Sequence, residues 1–576
     1  MSCRVFKPKD PYSNLFRKII KFSWIMFTNR VLYFLERRTQ QLLKMSAIWY
    51  VDEKTRLGKE KKDMDFYGMM KNGATQRTEN GAVGYVTSKS ALVDLNFATG
   101  SMRNMSEDEI VDRFWNAWNE DQVLALRWLF FARDIRNGGM GERRTFRTIL
   151  GDLVYNDIIP SDKYFSLYKL IEKYGRLDDF INLIDIVTGE QKEALVEVLS
   201  MGLAADTVAM LQKKPVTLLA KWMPSINTSS KETKARAAKL AQAFHITHRE
   251  YRMMLSKLRA YIDVTEVRAS ANDWDKIDYS KVPSYANIRF ANAFLKHDQE
   301  RREKYLESLK KGETKINAGT LFPYNIVHKY GGHYFWSRIS SVDDTLEQLW
   351  KALPDYELRN TLVVADGSGS MRTRISGGSE VTALEVANSI AIYASEHNEG
   401  VFADKYITFS GHPEFVEFRR QDTLHKKLNK AYEHDECANT NIEAVFELIL
   451  HTAVHNNVPA NEMPERILII SDMEFDDATH GKGWWDNGNW KAPDKALFEE
   501  IAEAYADRGY KLPKLVFWNV CSRTNTIPVQ ENELGVALVS GFSPAIFDMV
   551  MSDEVDPYKI LVAKLEGYKD ADKLLN

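Results

Sequence analysis

Near residue 353 the chain changes its hydrophobic period. From about Ser106 to Trp350, apolar residues recur every three to four positions; beyond 353, unbroken apolar runs alternate with helical stretches. A 3.6-residue period buries one stripe of an α-helix, whereas a short unbroken run suits a strand covered on both faces. The switch therefore implies an all-α part followed by an α/β part.

The second part is predicted strand by strand: TLVVA (361–365), KYITF (405–409), RILIIS (466–471), KLVFWNV (514–520) and GVALVS (535–540). ALEVANSIAIYASEH, NIEAVFELILHTAVH and DKALFEEIAEAYADRG supply helices between them. Such alternation indicates a doubly wound, Rossmann-like parallel sheet. In the first part, Ser106 with Glu109 forms a capping box ahead of Ile110, Val111, Phe114 and Trp118. Further helical runs follow, broken at Asn137-Gly138-Gly139, Gly175, Pro215, Pro224 and Pro283. Many helices with short connections read as an α-solenoid of paired helices, although no fixed period is visible. Three segments are expected. Residues 1–84 form a basic N-terminal extension and flexible lead-in, with 54–90 polar and glycine-rich. Residues 85–352 form the helical domain, and 353–576 the α/β domain.

Charge follows the same division. The formal net charge of −3 hides a C-terminal segment, 353–576, with 21 basic and 37 acidic residues. Residues 85–352 hold 39 basic and 35 acidic, and residues 1–44 hold 10 and 2. Such asymmetry suggests different partners for the two parts. Residues 1–44 read either as a basic amphipathic helix for an anionic surface or as an extension preceding a start at Met45. The most apolar window, Ile19 to Leu35, is interrupted by Lys21, Asn29 and Arg30, so no stable membrane insertion is expected. Cys3, Cys437 and Cys521 are too scattered for a disulfide framework or a zinc cluster, which fits a reducing, cytoplasmic setting.

The candidate chemistry starts at Asp366-Gly367-Ser368-Gly369-Ser370, directly after TLVVA. A carboxylate and two hydroxyls at alternate positions are hard oxygen donors suited to Mg²⁺ or Mn²⁺. They stand at a strand's carboxyl end, where open α/β sheets bind ligands. Asp472 follows RILIIS in the same way, and Thr440 precedes a predicted helix. This pattern resembles the metal-ion-dependent adhesion site (MIDAS) of von Willebrand factor A domains, matching at all five positions. The resemblance implies that Ser368, Ser370 and Thr440 bind the ion directly and that Asp366 and Asp472 act through water. Direct ligands that are all neutral would leave the ion receptive to an external anionic oxygen. Asp476 and Asp477 could serve as a general base but are expected as outer partners or solvated acids, and Trp484, Trp485 and Trp490 would either cover the site or pack back on the domain.

Two basic clusters lie in the helical part. RDIRNGGMGERRTFR places Arg133, Arg136, Arg143, Arg144 and Arg147 around a glycine-rich turn at a predicted helix N-terminus. Guanidinium forks and unsatisfied N–H groups there would suit phosphate. Farther on, Arg249, Arg252 and Arg259 share one helical face, with Phe244, Tyr251 and Tyr261 interleaved as stacking candidates. Either cluster reads equally as a solvated or salt-bridged helix face.

Several blocks together, among them ALVDLNFATGSMRNMS, ARDIRNGGMGERRTF, YRMMLSKLRAYIDVTE, VPSYANIRFANAFLKHD, KINAGTLFPYNIV and IISDMEFD, resemble a Ro-like family. That family pairs a TROVE-type, HEAT-like helical module with a C-terminal von Willebrand factor A domain, and this branch is found in plants, microbes and large phages. The resemblance covers about 77–575. In the Ro family the helical repeats close into a ring with the A domain, and single-stranded ends of misfolded non-coding RNA enter it. The resemblance thus implies a non-enzymatic, monomeric RNA-binding ribonucleoprotein component that binds single-stranded or misfolded RNA. The rival expectation is a protein-interaction scaffold that grips a partner carboxylate through the metal site without RNA. The modest charge of 85–352 keeps that rival open. Catalysis is not expected: His451 and His455 stand at i, i+4 without the glutamate of a zinc protease motif, His245 and His248 lack companion ligands, and no Walker A loop or nucleophile elbow is present.

Overall fold

The computed structural model describes residues 75–77, 83–85, 87–136, 138–331, 339, 341–355, 360–376, 379–410, 412–434, 442–472, 495–521, 536–543, 546–550 and 556–575. These residues are mostly helical, with a mixed sheet in the C-terminal part. They gather into two compact units, one built on 70–149 with 273–572 and the other on 150–272. This division differs from the expected boundary at 352/353, because the sheet-bearing unit takes in helices from both ends of the helical part.

In that unit the strands are β3 (Thr361–Asp366), β4 (Lys405–Phe409), β5 (Phe415–Glu417), β6 (Arg466–Ser471), β7 (Lys514–Asn519) and β8 (Val536–Ser540). Their order is β5-β4-β3-β6-β7-β8, all parallel except β5, which runs antiparallel on β4. The five predicted strands appear within a residue of their expected ends. Short β5 has no apolar run to announce it. A further hairpin, β1 (Thr75–Arg77) with β2 (Val83–Tyr85), stands where a loose lead-in was expected.

The apolar runs are explained by cover on both faces. On one face Leu362, Val364, Ile407, Phe409, Ile467, Ile469, Leu515 and Phe517 join one core with Val445, Phe446 and Ile449 of the helix Ile442–His455. On the other face Trp518 meets Phe547 edge-on at 5.3 Å, and Phe547 stacks on Tyr393 of the helix Ala383–His397 at 6.1 Å.

The same core admits Phe97, the last residue of the helix Ala91–Phe97. Its carbonyl accepts from the Asn519 side chain at 3.1 Å, and the Gly100 N–H donates to the Ser540 hydroxyl at 3.0 Å. A Cβ on Gly100 would lie closer than 3 Å to the Val520 carbonyl oxygen, so only glycine lets the chain pass there. Farther along, Arg127 of the helix Gln122–Arg133 pairs with Glu566 and Asp572, both at 2.7 Å, and the Tyr568 hydroxyl donates to Asp134 at 2.9 Å. Residues 91–142 therefore pack directly against the α/β layer. The predicted capping box is present: Ser106 Oγ accepts from the Glu109 N–H at 3.2 Å and Glu109 Oε2 from the Ser106 N–H at 2.8 Å.

The unit built on 150–272 is helical. Its longest helix, Gly189–Leu211, is long and apolar enough to cross a membrane by length and composition, although Glu197 and Asp206 interrupt its apolar run. Half of its most apolar window is buried within the protein, and Glu197 and Asp206 are buried with it. Asp206 accepts from the Thr217 N–H and hydroxyl at 2.8 and 2.7 Å, as a satisfied core carboxylate does.

Candidate functional site

Strands β3 and β6 are neighbours, with Ala365 opposite Ile470, so both end at the same sheet edge. This register brings Asp366 and Asp472 to adjacent strand ends, with exposures of 2% and 3%. Buried carboxylates need donors or a cation. Asp366 Oδ1 accepts from the Ser368 N–H at 2.9 Å, and Oδ2 accepts from the Ser471 hydroxyl at 2.6 Å. The first bond folds the DGSGS segment back over its own aspartate. The turn Gly369–Arg372 then carries Ser370 round, so that the Ser368 and Ser370 hydroxyls approach to 2.9 Å.

Four of the five predicted metal-site residues, Asp366, Ser368, Ser370 and Asp472, thus lie at the carboxyl ends of two adjacent strands. Thr440 lies outside the described residues, as do Asp476, Asp477, Trp484, Trp485 and Trp490. The donor set fits a hard divalent cation: two buried carboxylates and a pair of half-buried hydroxyls, all oxygen. Among the described residues no group of three or more His, Cys, Asp or Glu could hold a metal ion, so hydroxyls would have to complete any coordination here. Ser471 was missed by sequence reasoning; the available signal was a hydroxyl residue ending the otherwise aliphatic run ILII.

The arginines divide. Arg133 is only 2% exposed, buried with every residue from Leu124 onward in its helix, and so is not placed to meet a ligand. Arg136, Arg143 and Arg144 are exposed and Arg147 is half-buried; Arg144 donates to the Met102 carbonyl at 3.1 Å. Three backbone N–H groups of the glycine-rich turn are already used. Those of Met140, Gly141 and Glu142 donate to the carbonyls of Phe131, Asp134 and Ala132 at 3.0, 3.1 and 2.7 Å. The glycine turn therefore caps the preceding helix, with Gly138 and Gly141 at φ of 86° and 75°. Glu142 is buried against Arg103 at 2.6 Å, whose guanidinium lies 3.8 Å over the Phe542 ring.

In the unit built on 150–272, Arg249 and Arg252 are exposed on the helix His248–Ile262. Arg259 instead donates to the carbonyls of Ala220 and Met223 at 2.8 and 2.6 Å and to the Ser225 hydroxyl at 2.8 Å. It closes the end of the helix Leu219–Trp222 and is not a surface ligand. The expected stacking residues also turn inward. Tyr251 is fully buried, its hydroxyl on the Pro224 carbonyl at 2.9 Å, and burial pushes its phenol above the ordinary range. It stacks on buried Phe244 at 6.4 Å, leaving Tyr261 as the exposed member of the three.

Comparison with known proteins places two family matches on this chain. Residues 360–572 match "Domain of unknown function (DUF7788)", and residues 78–157 and 216–355 match "Domain of unknown function (DUF2828)". The chain is similar to "Uncharacterized protein L728" of Acanthamoeba polyphaga mimivirus, with 28% identity over 529 residues, 85% of this chain and 87% of that protein. Among solved structures it is similar to the Deinococcus radiodurans Ro (RSR) protein, with a TM-score of 0.31 and 10% identity, covering 84% of this chain and 100% of that one.

Proposed function

We propose that the protein is a non-enzymatic RNA-binding protein of the Ro type, with a TROVE-like, HEAT-like helical part and a von Willebrand factor A-like domain that binds Mg²⁺ or Mn²⁺. The observation that carries the reading is the exposed arginine group Arg136, Arg143 and Arg144 beside one tight turn, within sequence blocks that resemble the TROVE family. Guanidinium forks match phosphate oxygens bidentately and hold a charged backbone without regard to sequence. Arg249 and Arg252 offer a second such contact in the other unit. Since two of the three flanking aromatics, Phe244 and Tyr251, are buried, phosphate contact rather than base stacking carries most of the affinity in this reading.

The test is filter binding of RNA with a single-stranded 3′ end by the full-length protein. Binding should weaken steeply between 50 and 200 mM salt, because neutralised phosphates release counterions. The triple variant Arg136→Glu, Arg143→Glu, Arg144→Glu should weaken it for all sequences alike. Absent or salt-independent binding overturns the reading.

A second reading is favoured by the metal-site geometry. With two hydroxyls side by side and no additional acidic cluster among the described residues, a bound ion would offer a Lewis-acidic position to an anionic oxygen. Ser368 and Ser370 would hold it, with Asp366 and Asp472 supplying the negative charge. That chemistry also suits a protein carboxylate. EDTA-sensitive capture of a partner protein that survives RNase and is lost in Asp366→Ala would favour the scaffold over the RNA binder.

A further inference from the structure

We propose that Ser471 is a positioning residue of the metal centre, fixing the orientation in which Asp366 faces a bound ion. This rests on the metal-site reading above. Ser471 is the last residue of β6 and is fully buried. The β3–β6 register, with Ala365 opposite Ile470, sets Asp366 and Ser471 side by side at the end of the ladder. Its hydroxyl reaches Asp366 Oδ2 at 2.6 Å, a length typical of O–H donation to a charged oxygen.

An aspartate's terminal torsion is broad and roughly two-fold, so a strand-end carboxylate is not oriented by its backbone alone. Here each oxygen has its own donor, and the donors come from different elements. Oδ1 is held by the Ser368 N–H of the metal loop, and Oδ2 by a hydroxyl of the neighbouring strand. Losing the loop bond would let the turn move with the carboxylate. Losing the Ser471 bond would remove the hold on Oδ2 that comes from the neighbouring strand while the turn keeps its own.

Ser471 is itself anchored. Its carbonyl accepts from the Val520 N–H at 3.0 Å, so the hydroxyl starts from a backbone fixed between β3 and β7. The run ahead of it, Ile467 to Ile470, is wholly aliphatic and fully buried. Packing alone would be met by another aliphatic residue at 471. The hydroxyl appears where the strand reaches the carboxylate.

Outer hydrogen bonds of this kind commonly change metal affinity 10–100-fold. The test uses the full-length protein and Mn²⁺ alone, with bound and free ion separated by the EPR signal of aqueous Mn²⁺. Ser471→Ala should weaken Mn²⁺ binding about 10-fold or more, and Ser471→Thr, which keeps the hydroxyl, should restore it to within about 3-fold. Asp366→Ala should abolish it. If Asp366→Ala leaves binding unchanged, the metal-site reading itself fails. If Asp366→Ala abolishes binding but Ser471→Ala binds like the wild type, the positioning role is overturned and the site stands. Equal weakening in the Ala and Thr variants also overturns it, because the effect is then packing. Should Ser471→Ala not fold, judged by circular dichroism, Ser471→Cys replaces it under the same criteria.

Discussion

Replacing Gly100 by alanine tests whether the front of the chain completes the α/β layer. The added Cβ would stand closer than 3 Å to the Val520 carbonyl oxygen, 3.0 Å from its carbon and 3.3 Å from the Asn519 carbonyl oxygen. All three are backbone atoms at the end of β7, which lies between β6 and β8, so no side chain can swing aside. Gly100 has φ −62° and ψ −46°, open to any residue, so the cost is steric alone. Overpacking a fitted interior costs about 1–3 kcal/mol, and a backbone obstacle puts this case near the upper end. At about 2–4 °C per kcal/mol, calorimetry should show a fall of roughly 4–10 °C in the transition of the sheet-bearing unit. Gly319→Ala, where nothing lies within 4 Å, should melt like the wild type. Because the Val520 N–H binds the Ser471 carbonyl, the displacement should also weaken Mn²⁺ binding. Equal melting of Gly100→Ala, Gly319→Ala and the wild type would refute the insertion of residues 97–100 at the sheet edge.

Other substitutions separate the forces acting elsewhere. Glu142→Gln leaves Arg103 charged and mostly buried, and should cost roughly 1.5–3 kcal/mol in a denaturant titration. The double variant Arg103→Met, Glu142→Leu should recover most of that, since removing both partners of a buried pair is often neutral. Arg127→Met breaks the links to Glu566 and Asp572 and should cost roughly 1–3 kcal/mol, with increased proteolysis near residue 566 as the local readout. For Asp185, burial raises the carboxyl's pKa, but hydrogen bonds from Lys239 and Arg236 outweigh it and hold the group below its ordinary 3.8. A depressed acid contributes stability above that ordinary value and loses it as pH falls through the lower folded one. The denaturation midpoints of Asp185→Asn and wild type should therefore differ near pH 6 and draw together as pH falls below 3.8.

Local patterns were legible because they depend only on neighbours in sequence. RILIIS is apolar throughout because both faces of β6 are covered, and Asp366, Ser368 and Ser370 converge through a turn of five residues. Membership of a core is different. The periodicity of ALVDLNF shows that Phe97 is buried but not that its partners come from a sheet beginning at Thr361. Only Gly100 carries a trace of that arrangement, and a lone glycine reads as a turn. The Ser471 hydroxyl was hidden for the same reason, since Asp366 lies 105 residues away; β5, which pairs with the nearby β4, was hidden because its three residues carry no apolar run.

The arginine cluster shows a signal that was present and misread. QVLALRWLFFAR has no polar face, and every residue from Leu124 to Arg133 is buried, Arg127 and Arg133 included. An arginine closing a helix that is apolar all round belongs to the interior, whatever stands beyond it. A glycine pair just past such a helix signals a cap before it signals a phosphate loop, and the N–H groups of Met140, Gly141 and Glu142 are spent accordingly. Arg136, beyond the helix, is exposed. Two residues only three positions apart should therefore fail in opposite ways. Arg133→Ala should lower the melting temperature by several degrees. If that variant is purified folded, its RNA affinity should stay near that of the wild type. Arg136→Ala should leave the melting temperature within about 1 °C of the wild type and weaken RNA binding, with a shallower salt dependence by about one phosphate contact. Equal RNA-binding losses from both would mean that Arg133 reaches the ligand, contrary to its burial, and would refute the separation.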